Sequence, residues 1–270
     1  MTREEAAEAV ERLAANGEHD AAREVAAANW RLWLTAGDVE GGRRMLATAL
    51  AGDATPSRAR ALALYADGAL AFRAGDRAAS RARNDEALAA ARVVGDREAE
   101  ALALVGLSRV ALRDGDYDAV CSLATSAREL VQDLEPSADV APLHLLAAGT
   151  RLAGRLDDAA ALYDESLELN RRLDDSYMVA VEHHNLGHVE LHRGNVEIAE
   201  RHFAYARAAR TDNPYDNAMT HLNQASLAHA AGRRDEAVEL LARAESTLDA
   251  AGIALDPDDR YEVDWLRERL

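Results

Sequence analysis

Six glycines recur at an almost constant spacing along this sequence, and that spacing constrains the fold more than any other feature. Successive members of the set are 38, 40, 39, 40 and 38 residues apart, and they are Gly37, Gly75, Gly115, Gly154, Gly194 and Gly232. The residues five and twelve positions after each glycine are mostly Ala, Ser or Gly. Periods of about 20 to 50 residues are typical of proteins that stack one supersecondary unit many times. The sequence therefore predicts six repeats.

The clearest repeat lies in residues 182–206, which are predicted to form two helices joined by a turn at Gly194. In the second helix, Ala199, Phe203 and Ala206 are four and three residues apart, so their side chains share one face. The unit resembles a tetratricopeptide repeat (TPR), whose pattern is a small residue in the first helix, a Gly turn, and then Ala, an aromatic residue and Ala. The resemblance implies an all-α fold, a right-handed α-solenoid of about six TPR-like helix pairs.

The ends of the predicted helices agree with this repeat. All five prolines fall at predicted helix starts, where the missing N–H and the fixed φ angle of proline are tolerated. About fourteen helices are predicted, and residues 255–270 are expected to form a C-terminal capping helix that shields the last repeat. Because no linker or low-complexity segment interrupts the period, residues 1–270 are predicted to form a single TPR-like repeat domain.

The composition excludes several functional classes. The formal net charge is −17 and the pI is near 4.9, so the chain is expected to repel nucleic acid and anionic membrane surfaces. The single cysteine, Cys121, excludes an internal disulfide and suits a reducing compartment. No stretch resembles a signal peptide or a membrane span. We therefore expect a cytoplasmic protein, and the high Ala content together with the lack of lysine indicates a bacterial gene rich in G and C.

A second resemblance is confined to residues 21–50. This stretch is similar to the opening TPR segment of large STAND-class bacterial regulators of the AfsR/LuxR type, which carry paired tryptophans, a Gly turn and a Glu-Gly-Arg-Arg run. The matching residues are Trp30, Trp33, Gly37, Glu40, Gly42, Arg43 and Arg44, with Gly41 as an extra residue. In that family the TPR region follows an ATPase module and serves as a sensor or protein-docking arm. This sequence has no GxxxxGK[ST] phosphate loop and no basic helix-turn-helix, so a stand-alone relative and a separate sensor domain both stay open.

The TPR resemblance also implies where a ligand would bind. In TPR arrays the first helix of each pair lines a concave groove, and the groove-facing positions lie at fixed distances before the turn glycine. The candidate ligand-binding residues at these positions are Arg73, Arg109, Arg113, His144, Arg151, His184, Asn185, His188 and Asn223. Few acidic residues occupy such positions, although the chain has 48 of them. The resemblance therefore predicts a basic groove in an acidic protein.

These candidate residues favour an anionic ligand. Arg109 and Arg113 are four residues apart on one helix face, which suits a pair of carboxylate or phosphate oxygens. Asn185 and Asn223 occupy the position where peptide-binding TPR proteins often carry an asparagine that binds the ligand backbone, but the lysines of the full carboxylate-clamp pattern are absent. We expect an acidic peptide segment, a C-terminal carboxylate or a small anion. The alternative is that the arginines pair with acidic residues of neighbouring helices and contribute little energy.

Neither a metal site nor a catalytic site is predicted. His184, His188 and His192 are spaced four apart on one helix face, and such a histidine pair can bind zinc or nickel. Together with His183 they cannot all converge from one helix, and no HExxH motif is present, so we interpret them as groove-lining or packing residues. No G-x-S-x-G motif occurs, and Cys121 has no histidine at motif spacing. We expect a non-enzymatic protein that needs no cofactor.

The function predicted from the sequence is therefore binding. The first hypothesis is a protein- or peptide-recognition module, such as the sensor arm of a bacterial transcriptional regulator. The second is a sensor of a small-molecule effector that uses the same groove. The third is a structural scaffold that self-associates into a homo-oligomer through its acidic outer face or an end repeat.

Overall fold

The described part of the chain, residues 1–209 and 213–270 of a computed structural model, consists of helices joined by turns and short loops. It divides into two compact units, unit 1 (Met1–Pro142) and unit 2 (Leu143–Leu270). The glycine period runs through both units. A single repeat domain over residues 1–270 stays a prediction.

Unit 1 begins with one helix, which is followed by three helix pairs. Its helices are α1 (Arg3–Ala15), α2 (His19–Asn29), α3 (Arg31–Thr35), α4 (Val39–Leu50), α5 (Arg58–Arg73), α6 (Arg77–Val94), α7 (Arg97–Asp114) and α8 (Tyr117–Val131), and a short 3₁₀-helix, Pro136–Asp139, follows them. Only Trp30 separates α2 from α3, so these two helices together form the first member of the first pair, with α4 as the second. The other pairs are α5 with α6 and α7 with α8.

Unit 2 contains the remaining three pairs and the C-terminal helix. Its helices are α9 (Val140–Leu152), which begins just before the boundary, α10 (Leu156–Arg172), α11 (Ser176–His192), α12 (Val196–Ala209), α13 (Pro214–Ala230), α14 (Arg234–Ala251) and α15 (Pro257–Arg267). The pairs are α9 with α10, α11 with α12 and α13 with α14. The predicted all-α fold with six helix pairs is confirmed over the described ranges. None of the helices in those ranges is both long and apolar enough to cross a membrane.

The six repeated glycines close the first helix of each pair. Their φ angles, in chain order from Gly37 to Gly232, are 71°, 77°, 74°, 79°, 82° and 73°. Glycine adopts this left-handed conformation without the steric penalty that a Cβ brings. In three of the turns an aspartate follows the glycine and accepts a hydrogen bond from the backbone N–H three residues further on; these are Asp38, Asp76 and Asp116. Because such a cap starts the second helix, the Gly-Asp sequence sets the turn in these three repeats.

Small residues allow the two helices of the fifth pair to approach closely. A Cβ at Gly187 of α11 would overlap the ring of Phe203 of α12, so a side chain at this position displaces the ring. Phe203 is 4% exposed, and Ala199 and Ala206 are fully buried. The pattern that predicts the repeat is therefore also its packing pattern, because glycine and alanine leave the space that the aromatic ring fills.

The predicted C-terminal helix is α15, and it covers the last pair. Leu255, which precedes it, and Val263 and Leu266 within it belong to one apolar cluster with residues of α13 and α14, such as Met219 and Leu222. The acidic residues of α15 extend the contact further, because they reach α9 and α11, the first helices of the two preceding pairs. The helix therefore contacts the first helices of the two preceding pairs as well as the last repeat.

Candidate ligand-binding face

The candidate residues of unit 2 that come from α9 and α11 meet on one surface, which we call the inner face of unit 2. Its basic and imidazole side chains are Arg151 of α9 and His184, His188 and His192 of α11. Between 1% and 13% of each of these side chains is exposed. The side chains that cover them are three carboxylates of α15, which belong to Asp258, Asp259 and Glu262.

Arg151 is the permanently charged member of this face. Its guanidinium pairs with Glu262, lies 3.7 Å from a carboxylate oxygen of Asp258, and donates a hydrogen bond of 3.3 Å to Oδ1 of Asn185. Burial by itself lowers the pKa of Arg151, but Tyr163, Glu262 and Asp258 outweigh that effect and raise it above its usual value. The face therefore holds a buried positive charge that requires a negative partner.

Glu262 is the carboxylate on which most of the inner face converges. Besides Arg151, it contacts Nδ1 of His188 at 3.2 Å and Nε2 of His192 at 2.9 Å. Burial raises the pKa of the Glu262 carboxyl, but His188, Arg151 and His192 overcome this and hold it well below its usual range. Glu262 is therefore ionised in the folded protein, although it is only 2% exposed.

Asp259 connects α15 to two further helices. One of its oxygens lies 2.8 Å from Nε2 of His184 on α11, and the other accepts a hydrogen bond from the hydroxyl of Tyr215 on α13. Burial and the neighbouring Asp259 raise the pKa of Tyr215, so its hydroxyl keeps the proton that it donates. The same hydroxyl accepts a hydrogen bond of 3.3 Å from the backbone N–H of Asp256, at the start of α15.

Asp258 is the third carboxylate of α15, and its environment differs from that of Glu262. Burial and the adjacent Asp259 raise the pKa of Asp258 to about 6, and the attraction of Arg151 and His144 offsets only part of that rise. Its charged form is thus disfavoured at a site where Glu262 is stable as an anion. The three carboxylates are consequently held with different strengths.

Of the three other candidate residues of unit 2, His144 and Asn185 lie close to this face, since they interact with Asp258 and Arg151 respectively. Nδ1 of His144 is 3.0 Å from the buried carboxylate of Glu182, which belongs to the neighbouring first helix α11. Asn185 donates to the carbonyl of Val181 at 3.2 Å, besides accepting from Arg151. Asn223 on α13 is 4% exposed, and its Oδ1 has no hydrogen-bond partner among the described residues. His144 therefore pairs with an acidic residue of a neighbouring helix.

Two of the three candidate arginines of unit 1 contact aromatic residues of α5. Arg109 donates a hydrogen bond of 3.3 Å to the hydroxyl of Tyr65. The Cζ atom of Arg113 lies 3.6 Å from the centroid of the Phe72 ring. The same guanidinium donates a hydrogen bond of 2.7 Å to the Phe72 carbonyl. Arg73, at the end of α5, is exposed. Tyr65 and Phe72 therefore hold two of the three guanidinium groups in place.

The four neighbouring histidines do not form one cluster. His183 points away from the other three, with its Nδ1 2.9 Å from Nδ1 of His202 and its ring stacked on Tyr205. Burial, His202 and Arg171 lower the pKa of His183 to about 4, so this histidine is neutral at physiological pH. Within the described residues, no group of three or more His, Cys, Asp or Glu side chains could hold a metal ion.

The sequence interpretation named Arg151, His184 and His188 as candidates but did not name the carboxylates that cover them. Arg151 and Glu262 are 111 residues apart, so no local pattern connects them. A signal was nevertheless present in residues 255–270. Asp258, Asp259 and Glu262 are one and four positions apart in a predicted helix, which places them on one side of it. An acidic side of a helix next to a basic groove favours contact between them.

Comparison with known proteins yields solved structures but no sequence relatives. No protein-family model and no curated protein matches the sequence. A tetratricopeptide repeat protein from Parabacteroides merdae is 13% identical, with 98% of each chain covered and a TM-score of 0.59. The fold is of the TPR type. The resemblance of the repeat to TPR proteins is thus confirmed for the fold, and that of residues 21–50 to STAND-class regulators stays a prediction.

Two other solved structures share this TPR-type fold, and both were determined as complexes. A Rap protein complexed with Competence and Sporulation Factor is 18% identical, with 98% of this chain and 80% of the Rap chain covered and a TM-score of 0.66. NprR in complex with its cognate peptide NprX is 15% identical, with 91% of this chain and 71% of NprR covered and a TM-score of 0.64. At these sequence identities the comparisons establish the fold of this chain and nothing further.

Proposed function

We propose that this chain is a non-catalytic TPR module that binds an acidic segment of a protein or peptide on the inner face of unit 2. The observation that carries the proposal is the binding of three carboxylates of α15 by Arg151, His184, His188 and His192. The face is therefore able to bind negatively charged side chains that project from a helix. Asn185, which is held by Arg151, and Asn223 belong to the same proposed site.

Buried charge gives this face its preference for carboxylates. Hydrogen bonds in which a partner is ionised are about twice as strong as those between neutral groups. A neutral segment of the same shape would leave the guanidinium of Arg151 buried without a counter-charge, which strongly destabilises a complex. An acidic segment is therefore bound in preference to its amide counterpart.

The solved complexes support a bound partner, and that of NprR supports a peptide as the ligand. NprR holds its cognate peptide NprX, and the Rap protein holds Competence and Sporulation Factor. Both share the fold of this chain over more than nine-tenths of its length. A TPR-type fold of this size is thus able to accommodate such a ligand. We extend the proposal to a regulatory role, the sensor arm of a bacterial regulator, on the resemblance of residues 21–50.

The arginines of unit 1 are proposed to bind anionic groups as well. Tyr65 orients Arg109, and the ring and carbonyl of Phe72 orient Arg113. A guanidinium that is already fixed loses little conformational freedom when a carboxylate binds. Arg73 lies at the end of the same helix as Phe72, α5, and is included in this proposed site.

The proposal is tested by peptide selection on the immobilised full chain. Two display libraries of equal length are used, one containing Asp and Glu and the other with Asn and Gln in their place. We expect the acidic library alone to yield binders, enriched in acids one and four positions apart. A photoreactive group on a selected peptide should then cross-link to α9, α11 or α13. Equally tight binders from the amide library, or cross-links confined to other helices, would contradict the proposal.

A further inference from the structure

The C-terminal helix α15 is held on unit 2 by charged and polar contacts on one side, in addition to apolar ones. Asp258, Asp259 and Glu262 bind residues of α9, α11 and α13, whereas Val263 and Leu266 provide its buried apolar contacts. Helices α9, α10 and α11, by contrast, pack against one another through an apolar cluster that includes Ala147, Tyr163 and Leu186. The attachment of α15 is therefore chemically distinct from the packing of the helix pairs.

Contacts of this kind produce a finely balanced attachment. Removing carboxylates and a guanidinium from water carries a desolvation penalty that largely cancels their mutual attraction. The raised pKa of Asp258 is consistent with such a penalty at one of the three carboxylates. A helix docked in this way is released more readily than one that is docked by an apolar face of equal area.

The connection to α14 allows release without loss of the helix. Helix α14 ends at Ala251, and Gly252 caps it in the left-handed conformation with a φ angle of 64°. The following residues, 253–256, are not helical, so α15 is attached through a short non-helical segment. The helix can therefore leave the inner face and remain beside it.

We propose that α15 is a built-in occupant of the inner face of unit 2, and that an acidic amphipathic helix of a partner binds by displacing it. This inference rests on the proposed function of that face. The ligand class follows from the occupant. It is a helix with carboxylates at positions equivalent to Asp258, Asp259 and Glu262 and an apolar side equivalent to Val263 and Leu266.

The aromatic residue of α15 adds to this description of the ligand. The ring of Trp265 meets the ring of His192 edge-on, with centroids 4.7 Å apart, and that of His229 with centroids 5.8 Å apart. Such contacts between aromatic rings stabilise packing beyond the area that they bury. A partner helix with an aromatic residue three positions after the last carboxylate would reproduce them.

The experiment uses the full chain and the variant Glu262→Gln, which removes the central carboxylate with little change in shape. In the variant we expect the backbone amides of α15 to exchange with deuterium about tenfold faster than in the wild type, while α10 and α14 are unchanged. A labelled peptide with the sequence of residues 255–270 should bind the variant about tenfold more tightly than the wild type, because the internal competitor is weakened. If exchange accelerates but peptide affinity is the same, the displacement inference is wrong.

Asp264→Asn is the matched control on the same helix. Asp264 is half-exposed and pairs with Arg267 on the surface, so its replacement removes an equal charge without touching the inner face. We expect wild-type exchange and wild-type peptide affinity. An increase in affinity equal to that of E262Q would mean that net charge, and not occupancy, controls peptide binding, and would overturn the inference. If E262Q loses helical structure, Asp259→Asn replaces it, because D259N leaves the pair between Arg151 and Glu262 intact.

A second substitution in the E262Q background locates the bound peptide. His184→Ala removes a contact of the inner face, and we expect it to weaken peptide binding about tenfold. His202→Ala, which removes an imidazole that pairs with His183 instead, should have no effect. Equal effects of the two substitutions would place the peptide elsewhere and overturn the inference.

The display-selected peptides separate this inference from the proposed function. If they bind wild type and E262Q equally tightly and cross-link to the inner face, the proposed function stands and the displacement of α15 is wrong. If no selected peptide reaches the inner face although the 255–270 peptide binds E262Q there, the face serves only its own helix. The proposed function then fails, and partner displacement fails with it.

Discussion

Asp258 and Glu262 lie four residues apart on α15, yet the structure shifts their pKa values in opposite directions. Arg151 and two histidines surround Glu262, and their attraction overcomes the effect of burial. Asp258 is mostly shielded from solvent next to another carboxylate, and the attraction of Arg151 at 3.7 Å and of His144 compensates only in part. Two carboxylates of the same helix therefore stabilise the fold over different pH ranges.

The raised pKa of Asp258 predicts higher stability at mildly acidic pH. Between its unfolded pKa and a folded value of about 6, the native state holds a proton that the unfolded state has lost, so stability falls as pH rises through that range. We expect the free energy of unfolding to increase by about 1 kcal/mol when the pH is lowered from about 7 to about 5.5. The groups that face Asp258 are Asp256, Asp259, Arg151, His144 and Tyr163.

Asp258→Asn is the control for this prediction, because it keeps every other titrating group. Denaturant titrations of both proteins at several pH values measure the difference. Glu262 acts in the opposite sense: its lowered pKa contributes stability above its unfolded value, which is lost as the pH falls further. A wild-type curve that runs parallel to that of D258N from pH 7 to about 5.5 would contradict the assignment to Asp258.

Gly187 gives a second prediction at the scale of single residues. Gly187→Ala gains helix propensity of about 1 kcal/mol, but its Cβ collides with the buried ring of Phe203. Because overpacking a dense core costs about 1 to 3 kcal/mol, we expect a net loss of stability, measured by chemical denaturation. Phe203→Leu in the same chain should recover part of that loss. A double variant as unstable as the sum of both single changes would exclude this contact as the cause.

The helix pairs could be predicted from the sequence because their determinants are local. Gly194 closes α11, and Ala199, Phe203 and Ala206 share a face within two turns of α12. The contacts of the inner face are not local, since Glu262 on α15 and Arg151 on α9 are separated by five helices that the chain must first stack. The resemblance to TPR proteins identified Arg151, but only the folded chain identifies its partner.

The arginines of α7 allow a prediction at the scale of one element. We expect Arg109→Glu with Arg113→Glu to lower the affinity of acidic peptides for the proposed anion site of unit 1 about tenfold, because two fixed cations become anions. Arg77→Glu with Arg81→Glu is the matched control. These two residues are also four apart, but they lie on the exposed side of α6 and pair with Asp114 of α7. Fluorescence anisotropy of labelled peptides measures both. An equal decrease in both variants would reflect net charge and would remove α7 from the proposed site.

For the molecule as a whole, a net charge of −17 opposes the acidic ligand that the inner face prefers. The repulsion acts over a Debye length of about 30 Å at 0.01 M salt but only about 8 Å at 0.15 M. The buried pairs at the inner face are screened much less. Added salt should therefore weaken the long-range repulsion between the free partners more than it weakens the buried contacts of the complex.

We accordingly expect added salt to accelerate the association of an acidic peptide. Between about 10 mM and about 150 mM NaCl, the association rate constant should increase several-fold, the reverse of the usual behaviour of oppositely charged partners. Stopped-flow fluorescence with the 255–270 peptide and the E262Q variant measures this rate. A peptide with Asn and Gln in place of its acids serves as control and should show little dependence. Slower association at higher salt would mean that a local basic field dominates.

Only residues 252–256 connect α14 to α15, so the helix stays near the inner face whether or not it is docked. So short a connection corresponds to an effective concentration in the millimolar range. The apparent Kd of a partner then rises in inverse proportion to the fraction of molecules whose helix is undocked. Weakly acidic segments are filtered out, and the response begins only above a threshold of partner concentration. Lengthening this loop would lower the threshold without changing a single contact on the face.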